Sequence, residues 1–451
     1  MQNPQSHKII QQIQRDTSRR ALETTREILD LAIGSERTGN VNVRLWDGTL
    51  WPDESPRAAT FHLKHAGALR AVFLRLFEIQ SCEAFIFDDF DIVGDGAQMQ
   101  AWTESLQSHK LDARSQIRVL ELLLRLPSPR ESRGKRRNDL RREDRMRRQG
   151  REQIGDKHSL QRDQAAIRSH YDVSNEFYQL FLDPQMVYSC AYFHSENDSL
   201  EVAQTQKLDL ICRKLRLQRG QKMLDIGCGW GALVIHAAKH YGVDATGVTI
   251  SEAQAQLARE RIAREGLSDQ VQVLVQDYRE TEGQFDAIAS VGMCEHLGAS
   301  QLPIYFQTAW KLLRDGGVFL NHGIANRRLV KKQIVPSFTD LYVFPDSQLV
   351  PISLLLQEAD AAGFEVRDVE NLREHYAKTL AFWLRNLEEN REAALQFVSE
   401  ETCRVWRLYL AASGFGFSNR VLAIYQTLLV KNDGRGRNAL PLSRDDWFKS
   451  L

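Results

Sequence analysis

Hydrophobic and polar positions alternate in two different ways along this chain. Between residues 41 and 95 the pattern is short and mixed, with strand-like alternation at 41–45 and 59–63 and helical spacing at 67–77. Residues 1–40 precede it as a polar, charged helical segment. This pattern predicts a small N-terminal α+β domain, in which we find no catalytic constellation.

One more helix closes this first region. Its apolar side chains are predicted to share one face, and prolines at 127 and 129 stop it. The residues assigned to that face are Ile117, Leu120, Leu123 and Leu124. We therefore expect the N-terminal domain to span residues 1–129.

From residue 200 the chain alternates regularly between strands and helices. Predicted strands lie at the run before Gly227 and at 243–250, 271–275, 285–290, 317–321, 364–369 and 420–430. Predicted helices lie at 200–215, from the Ser251 cap to about 265, and at 301–313, 352–362 and 376–409. Such alternation predicts right-handed βαβ units around a parallel sheet with helices on both faces. The segment 333–347 interrupts it, and we interpret this insertion as a lid or substrate wall.

Three glycines at alternate positions follow the first strand of this region. Gly227, Gly229 and Gly231 frame Cys228 in a G-x-G-x-G spacing, which differs from the G-x-G-x-x-G of dinucleotide binders. Glycines at a strand end let the backbone approach a nucleotide-like ligand. The spacing favours S-adenosylmethionine (SAM), which has no pyrophosphate to seat; a tight turn without a ligand is the alternative.

Polar residues at the neighbouring strand ends fit the other parts of SAM. Asp225 could orient the loop and the methionine end, and Asp277 with Tyr278 suits the adenine. Where many SAM enzymes carry a carboxylate for the ribose, this chain has Thr249-Ile250-Ser251 followed by Gln254. Hydroxyl and amide groups can take that role.

The composition excludes several classes of protein. With 451 residues, of which 43% are hydrophobic, the chain is long enough for two or three domains. Basic and acidic residues both number 59, so the net charge predicts no polyanionic partner. No stretch approaches the ~20 apolar residues of a membrane span, and the N-terminus lacks a signal-peptide core, so we expect a cytoplasmic protein. The cysteines, at 82, 190, 212, 228, 294 and 403, form no Cys-x-x-Cys pair and predict reduced thiols and no metal site.

Residues 130–151 form a strongly basic run. It contains eleven Lys or Arg and four Asp or Glu residues, within a chain that is neutral overall. We assign 130–160 to a linker between the domains. The run could instead hold the protein against anionic lipid headgroups. Nucleic acid is the third interpretation, but no aromatic residue interrupts the run to stack on bases.

Several spaced motifs, together, make the region from about 167 to 431 resemble the cyclopropane-fatty-acyl-phospholipid synthases and mycolic acid cyclopropane synthases. The motifs are 170–172, 188–190, the glycine loop, 247–251, 292–298, 322–324 and 375–380. The resemblance implies a Rossmann-like class I SAM methyltransferase sheet in a catalytic domain at 161–451. Residues 1–150 resemble, more weakly, the extra domain of the phospholipid-acting members.

The resemblance also implies a reaction and its residues. SAM, held partly by Tyr188 and Ser189, would alkylate the cis double bond of a phospholipid acyl chain, and the resulting carbocation would lose a proton to a bound bicarbonate. The family's bicarbonate-binding positions match Cys190, Glu295, His322, Ile324 and Tyr376. Cys294 departs from the family pattern, which usually has Phe at this position. We therefore expect one wall of the site to differ in shape from that of the family.

Each of these residues also has an ordinary structural interpretation. Taken alone, Cys190 is typical of a small buried residue and His322 of a hydrogen-bonded core histidine, whereas together in family motifs they favour function. We therefore predict cyclopropane formation by a peripherally membrane-associated enzyme. The alternatives are C-methylation that leaves a methyl or methylene branch, methylation of a small molecule, and a non-catalytic lipid-surface protein. Oligomeric state stays open, with a homodimer among the candidates.

Overall fold

The computed structural model divides into two compact units, residues 1–153 and 154–451. The described residues are 4–74, 78–94, 99, 102, 111–132, 174–327, 337–344, 347–438 and 440–448. Most of the basic run and the motif 170–172 lie outside these ranges. The predicted domain bounds therefore stay a prediction.

The first unit is a small α+β fold, as the sequence pattern predicts. Its sheet has the order β2-β1-β3-β4, in which β1 and β3 are parallel and the other pairs are antiparallel. The strands are β1 Val41–Arg44, β2 Leu50–Trp51, β3 Ala59–Leu63 and β4 Phe90–Gly94. The helices are α1 Pro4–Ala32, α2 Ala68–Phe73, α3 Glu78–Ile86, α4 Ala113–Arg125 and α5 Pro129–Ser132.

Helix α4 exposes most of the apolar face that the sequence assigns to it. Ile117, Leu120 and Leu124 are 61%, 50% and 53% exposed, whereas Leu122 and Leu123 are buried. Residues three and seven positions apart share a helical face, but Leu123 lies about a quarter of a turn away from the middle of that stripe. The single predicted face is therefore wrong, because the buried and exposed apolar residues form two separate stripes.

The second unit contains a seven-stranded sheet of order β10-β11-β9-β8-β5-β6-β7. Its strands are β5 Lys222–Ile226, β6 Asp244–Thr249, β7 Val271–Val275, β8 Phe285–Val291, β9 Leu313–Asn326, β10 Glu365–Asn371 and β11 Leu422–Val430. Strands β5 to β9 are parallel, but β11 runs antiparallel to both of its neighbours. The prediction of a wholly parallel sheet is wrong at β11, since the apolar pattern of a buried strand does not encode its direction.

Helices cover both faces of this sheet and confirm the predicted α/β class. They are α6 Asn175–Gln179, α7 Leu200–Lys214, α8 Ala232–Tyr241, α9 Glu252–Arg264, α10 Leu302–Leu312, α11 Phe338–Tyr342, α12 Ile352–Ala361, α13 Arg373–Glu389, α14 Arg391–Ala394 and α15 Glu400–Ser418. One apolar core joins α7, α8 and α9 to the sheet, and a second joins α10 and α12 to it. A third, rich in aromatic rings, joins α6, α13 and α15 to the residues around 190.

The predicted helical stretch 376–409 is three helices. Helix α13 ends at Glu389, and α15 begins only after Ser399, whose side chain accepts a hydrogen bond from the Thr402 N–H. A serine followed by two glutamates is a typical N-cap, and it restarts the helix there. Among the described helices, none combines the length and apolar content that a bilayer crossing requires.

Candidate active site

A cavity opens at the carboxyl ends of β5, β6, β7 and β8, where parallel sheets of this kind bind their ligands. We call it the cofactor cavity. Of the residues predicted to hold SAM, those in its wall are Tyr188, Ser189, Asp225, Gly227, Cys228, Gly229, Thr249, Ile250, Gln254, Asp277 and Tyr278. Gly231 and Ser251 are not in that wall; they begin the helices α8 and α9 behind it.

The glycine loop owes its shape to positive backbone angles. Gly231 adopts a left-handed conformation, and a Cβ there would lie 3.1 Å from Ala258 Cβ on α9. The Gly227 and Cys228 N–H groups both donate to the Val248 carbonyl, at 2.9 and 3.0 Å. The loop is thus fastened to the end of β6 with its backbone facing the cavity.

Cys228 contributes to this loop through its backbone, because its thiol points into the sheet. A Cβ on Gly247 would lie only 2.7 Å from the Cys228 sulfur, so the absence of a side chain at 247 makes room for the thiol. Burial raises the pKa of Cys228 well above the usual thiol value. The thiol therefore stays neutral and packs as a small apolar group.

Asp225 places a buried carboxyl group in the wall of the cofactor cavity. Its carboxylate is buried, and Oδ1 has no hydrogen-bond partner among the described residues. Burial raises its pKa to about 7, against the opposing effect of the Lys207 ammonium. A buried acceptor that faces a cavity without a partner fits the ammonium group of a zwitterionic ligand.

Lys207, which no sequence motif singled out, is buried in α7 and also lines the cavity. Its Nζ donates to Ser189 Oγ at 2.8 Å, and burial lowers its pKa to about 8. One turn earlier, the Gln204 side chain donates to the Ser189 carbonyl at 2.8 Å. Together they hold the predicted segment 188–190 in place. Polar residues at 204, 207 and 214 on the apolar face of one helix were the available signal.

The end of β6 shows how hydroxyl and amide groups replace the usual carboxylate. The Thr249 hydroxyl donates to Gln254 Oε1 at 2.9 Å, which turns the Gln254 amide nitrogen outward as a donor. Ser251 caps α9 by accepting from the Gln254 N–H. Ser251 therefore orients Gln254, and Gln254 is the group available to a ribose.

Asp277 is held at the end of β7 by a two-point ion pair. The Arg279 guanidinium donates to both of its carboxylate oxygens at 2.7 Å. Oδ1 also accepts from the Arg279 backbone N–H at 2.9 Å, so Oδ2 is the oxygen that keeps a lone pair for a ligand. His296 closes the opposite side of the cavity, and burial lowers its pKa to about 4, so its ring is neutral.

Aromatic rings continue from the cofactor cavity into the third core. The Tyr188 ring lines the cavity and lies 5.2 Å from the Trp383 ring, which lies 6.0 Å from the Tyr376 ring. Phe177 and Phe181 are fully buried and serve as core. The rings of 188, 383 and 376 therefore form an aromatic wall that leads from the cofactor cavity towards the predicted bicarbonate residues.

Those predicted residues, Cys190, Glu295, His322, Ile324 and Tyr376, are named here the base site. Glu295 lies in the 3₁₀ turn Cys294–His296 after β8, and its Oε1 accepts from the Ile324 N–H at 2.8 Å. Its Oε2 accepts from the Cys294 thiol at 3.6 Å. Burial raises the pKa of Glu295, although the hydrogen bond from Ile324 opposes the shift.

His322 lies two residues before Ile324 in β9, so both side chains project from the same face of the sheet. The ring is fully buried; Nδ1 is 3.1 Å from Gln426 Nε2, and Nε2 has no partner among the described residues. Burial and the charges of Lys207 and Lys214 lower the pKa of His322 well below its usual value. A neutral histidine with one unpaired nitrogen thus lies in the interior.

Cys190 and Tyr376 approach from the aromatic core. The Cys190 thiol contacts the carbonyls of Ala191 and Leu372, at 3.2 and 3.7 Å, and burial raises its pKa, which excludes a thiolate. The Leu372 carbonyl also accepts the Tyr376 N–H. Cys190, Tyr376 and Ile324 belong to the same hydrophobic cluster, which brings three of the predicted residues together.

Tyr409, on α15, is a further residue near both sites that was not predicted from the sequence. Burial raises its pKa to about 12, while hydrogen bonding with Tyr188 and Ser413 lowers it and the nearby Glu295 carboxylate raises it. Its ring lies 5.6 Å from Phe344, in the described part of the insertion, and Phe344 also contacts His296. Tyr409 thus links the insertion, the cofactor cavity and the base site. Nothing in its local sequence distinguishes it from a core tyrosine.

This arrangement can deliver an electrophile from one cavity into an apolar, aromatic surrounding beside a buried carboxyl group and a neutral imidazole. In the part of the chain that the structure describes, no three His, Cys, Asp or Glu side chains are placed to share a metal ion.

Several known proteins are similar to this chain in sequence. The family model for mycolic acid cyclopropane synthetase matches residues 158–427. A probable fatty acid methyltransferase of Pseudomonas putida is 43% identical over 65% of this chain and 75% of its own. The cyclopropane-fatty-acyl-phospholipid synthase of Escherichia coli K12 is 36% identical over 60% of this chain and 68% of its own.

A solved structure agrees. The crystal structure of mycolic acid cyclopropane synthase CmaA1 with SAH and CTAB superposes with a TM-score of 0.57 at 34% identity, covering 59% of this chain and 97% of that one. The family match includes more than half of the chain, and the fold is the Rossmann-like class I SAM methyltransferase fold that the sequence predicts. The chain therefore belongs to the mycolic acid cyclopropane synthetase family and is a SAM-dependent methyltransferase of the cyclopropane synthase type.

Proposed function

We propose that this enzyme transfers a methylene group from SAM to the cis double bond of an unsaturated phospholipid acyl chain and forms a cyclopropane ring. One observation carries the proposal: the base site pairs a buried Glu295 with a neutral, buried His322 behind an aromatic wall that begins at the cofactor cavity. An oxygen, nitrogen or sulfur nucleophile attacks through its own lone pair, so its methylation does not create a carbocation that needs aromatic, water-free surroundings.

The cofactor cavity fits SAM. The unpartnered Asp225 oxygen suits the methionine ammonium, the Gln254 amide nitrogen suits the ribose, and Asp277 suits the adenine amino group. When bound, SAM supplies an electrophilic methyl group on a sulfonium. An alkene is a weak nucleophile, so the work of the protein is to orient the two reactants and exclude water.

The base site fits bicarbonate. The unpartnered His322 Nε2 can face its negative charge, and burial favours a protonated Glu295 that can donate to it. Cys190, Ile324 and Tyr376 would complete its surroundings. When bound, bicarbonate supplies the base that removes a proton from the alkylated chain.

The rings of Tyr188, Trp383 and Tyr376 have their own part in this proposal. A carbocation next to the faces of aromatic rings is stabilised by their quadrupoles, by ~2 kcal/mol for each desolvated contact. The same rings exclude water, which would otherwise capture the cation as an alcohol. The aromatic wall therefore protects the intermediate until a proton is lost.

A second product is supported by the relative in Pseudomonas putida, which is named a fatty acid methyltransferase and is more similar to this chain than the Escherichia coli synthase is. Loss of a proton from a neighbouring chain carbon, instead of the added methyl group, would leave a methyl-branched alkene. If a 1,2-hydride shift first moves the cation to the methyl-bearing carbon, loss of a methyl proton would leave a methylene group, and reduction of either alkene by a separate hydride donor would leave a saturated methyl branch. The position of the base relative to the alkylated acyl chain decides which proton is lost, and therefore which product forms.

Mass spectrometry of lipids after incubation with SAM and unsaturated phospholipid tests both candidates. We expect a product one CH₂ heavier that resists catalytic hydrogenation, which identifies a ring. A heavier product that takes up hydrogen identifies an alkene and the second candidate. If phospholipid stays unchanged while a small-molecule acceptor is methylated without bicarbonate, both are refuted.

We also propose that the enzyme meets its substrate at an anionic membrane surface. The basic run 130–151 and the exposed stripe of Ile117, Leu120 and Leu124, which Arg114 and Arg125 flank, support this contact. We expect co-sedimentation with phosphatidylglycerol vesicles, weakened by salt and by serine at the three stripe positions. Leu442→Ser, at another exposed leucine, is the matched control. Equal binding to phosphatidylcholine vesicles would contradict the proposal.

A further inference from the structure

The His322 ring ends a chain of buried polar contacts that reaches back to α7. The Lys214 Nζ donates to Gln426 Oε1 at 2.8 Å, and the Gln426 Nε2 lies 3.1 Å from His322 Nδ1. Lys214 also pairs with Glu370, and its nitrogen lies 4.0 Å from an Asp368 oxygen. Lys214, Gln426 and His322 are each about 1% exposed or less, so water cannot readily replace these contacts.

The ion pair at the far end fixes the direction of every hydrogen bond in this chain. An ammonium group paired with carboxylates is only a donor. Gln426 must therefore turn its carbonyl oxygen towards Lys214, which leaves its NH₂ group facing His322. Because that NH₂ group is a donor, His322 Nδ1 must be the acceptor.

A histidine that accepts at Nδ1 carries its proton on Nε2 when neutral. The doubly protonated ring would set an N–H group against the Gln426 NH₂ group, and burial with two nearby lysines disfavours the charge as well. The Nε2 atom is also the one that has no partner among the described residues. The chain of contacts thus leaves one N–H donor pointing into the base site.

We propose that Lys214 and Gln426 are positioning residues that fix His322 as the Nε2–H tautomer, so that it presents a hydrogen-bond donor to an anion in the base site. The identity of that anion as bicarbonate rests on the proposed function; the tautomer does not. In this role Lys214 acts through two other side chains and never touches the anion.

The fold holds this chain of hydrogen bonds in place at both ends. His322 and Gln426 are directly paired residues of the antiparallel strands β9 and β11. Lys214 lies seven residues after Lys207, so the two lysines share one face of α7. The Trp447 ring, 5.3 Å from the Lys214 Nζ, covers the ammonium near the C-terminus.

The test is NMR of the imidazole nitrogens in protein labelled with nitrogen-15 histidine, with His322 assigned by its absence in His322→Gln. We expect a protonated Nε2 and an unprotonated Nδ1 in the wild type at neutral pH. Gln426→Glu offers a carboxylate that accepts from Nδ1–H, so we expect a proton to appear on Nδ1. Gln426→Leu should give a mixture of tautomers.

Thr427→Val is the matched control, since Thr427 is buried in the same strand and donates to the Asn321 carbonyl instead. It should leave the His322 signals unchanged. Apparent affinity for labelled bicarbonate should fall about tenfold or more in Gln426→Leu and little in Thr427→Val. Circular dichroism checks that each variant is folded.

A wild-type ring protonated on Nδ1, or signals that do not respond to Gln426→Glu in a folded protein, would overturn the inference. So would an equal loss of bicarbonate affinity in Thr427→Val. The expected tautomer in an enzyme indifferent to bicarbonate would instead refute the proposed base and leave the tautomer assignment standing.

Discussion

The cofactor cavity and the base site are adjacent but are built in opposite ways. The cofactor cavity lies at consecutive strand ends, with the backbone of the glycine loop and two buried carboxylates, Asp225 and Asp277, in its wall. The base site is formed by side chains and backbone from four separate stretches, around 190, 295, 322 and 376. The 3₁₀ turn Cys294–His296 joins them, because His296 lines the cavity while Glu295 faces β9.

The two regions should therefore differ in how much a single substitution weakens binding or activity. A wall of backbone groups keeps its hydrogen-bonding capacity when side chains change, so a single substitution there should weaken binding only by the hydrogen bond that it removes. When one member of a buried polar network is removed, its partners are left without hydrogen bonds, so the free-energy cost exceeds that of the single lost contact. We therefore expect the largest effects in the base site.

Glu295→Gln should have the largest effect on turnover. The amide can still accept from the Ile324 N–H, but it cannot exchange a proton as a carboxyl group can, so we expect kcat to fall by ~100-fold or more. Calorimetry should show SAM binding unchanged, since Glu295 does not line the cofactor cavity. Glu260→Gln, on the exposed side of α9, is the control. Full activity in Glu295→Gln would refute the base site as assigned.

Asp225→Asn should mainly weaken cofactor binding. It replaces the charged acceptor for the SAM ammonium with a neutral amide, which costs ~1.5–3 kcal/mol, or ~10- to 100-fold in Kd. Isothermal titration with SAM measures the change, and Asp244→Asn at the opposite end of β6 provides the comparison. A variant that binds SAM like the wild type would show that Asp225 serves the fold alone.

The pH dependence of SAM binding should follow the same carboxylate. Because burial raises the pKa of Asp225 to about 7, the carboxylate gains a proton and loses its charge as the pH falls through that value. We expect the affinity for SAM to decrease below about pH 7 in the wild type and to stay nearly constant there in Asp225→Asn. A parallel decrease in both proteins would assign the titration to another group.

Cys294→Ala should have a moderate effect on the base site. It removes the thiol that donates to Glu295 Oε2, a weak hydrogen bond in the range of ~0.5–1.5 kcal/mol, so we expect a two- to tenfold fall in kcat. Cys294→Ser keeps a donor of similar size and should stay closer to the wild type. If Cys294→Ala and Cys294→Ser have the same kcat, the thiol contributes only its volume and no hydrogen bond.

Cys190→Ala should have the smallest effect on turnover. The thiol is neutral because burial raises its pKa, and its loss opens only a small void, which we expect to cost ~1 kcal/mol of stability in thermal unfolding. Turnover should change by less than about threefold, since the residue contributes packing and backbone rather than a nucleophile. A decrease as large as that of Glu295→Gln would give the thiol a chemical role.

How far the sequence could predict these two regions follows from their construction. The glycine loop, the Asp277 position and the Ser251 cap are local patterns, so the sequence alone places them at strand ends. The base-site residues came from family resemblance, and no spacing in the sequence indicates that Glu295 would meet the N–H of Ile324. The contact of Gln426 with His322 depends on the pairing of β11 with β9, which local periodicity does not report.

The Cys294 sulfur packs against the backbone of β9 at Gly323. A Cβ at position 323 would overlap the Cys294 sulfur, so the two positions divide one fixed volume. Gly323 lies between His322 and Ile324, so a bulkier side chain at 294 displaces the strand that carries both. A change of side chain at 294 therefore affects both the position of this strand and the thiol contact with Glu295 Oε2. Position 294 thus couples the packing of the sheet to the geometry of the base site.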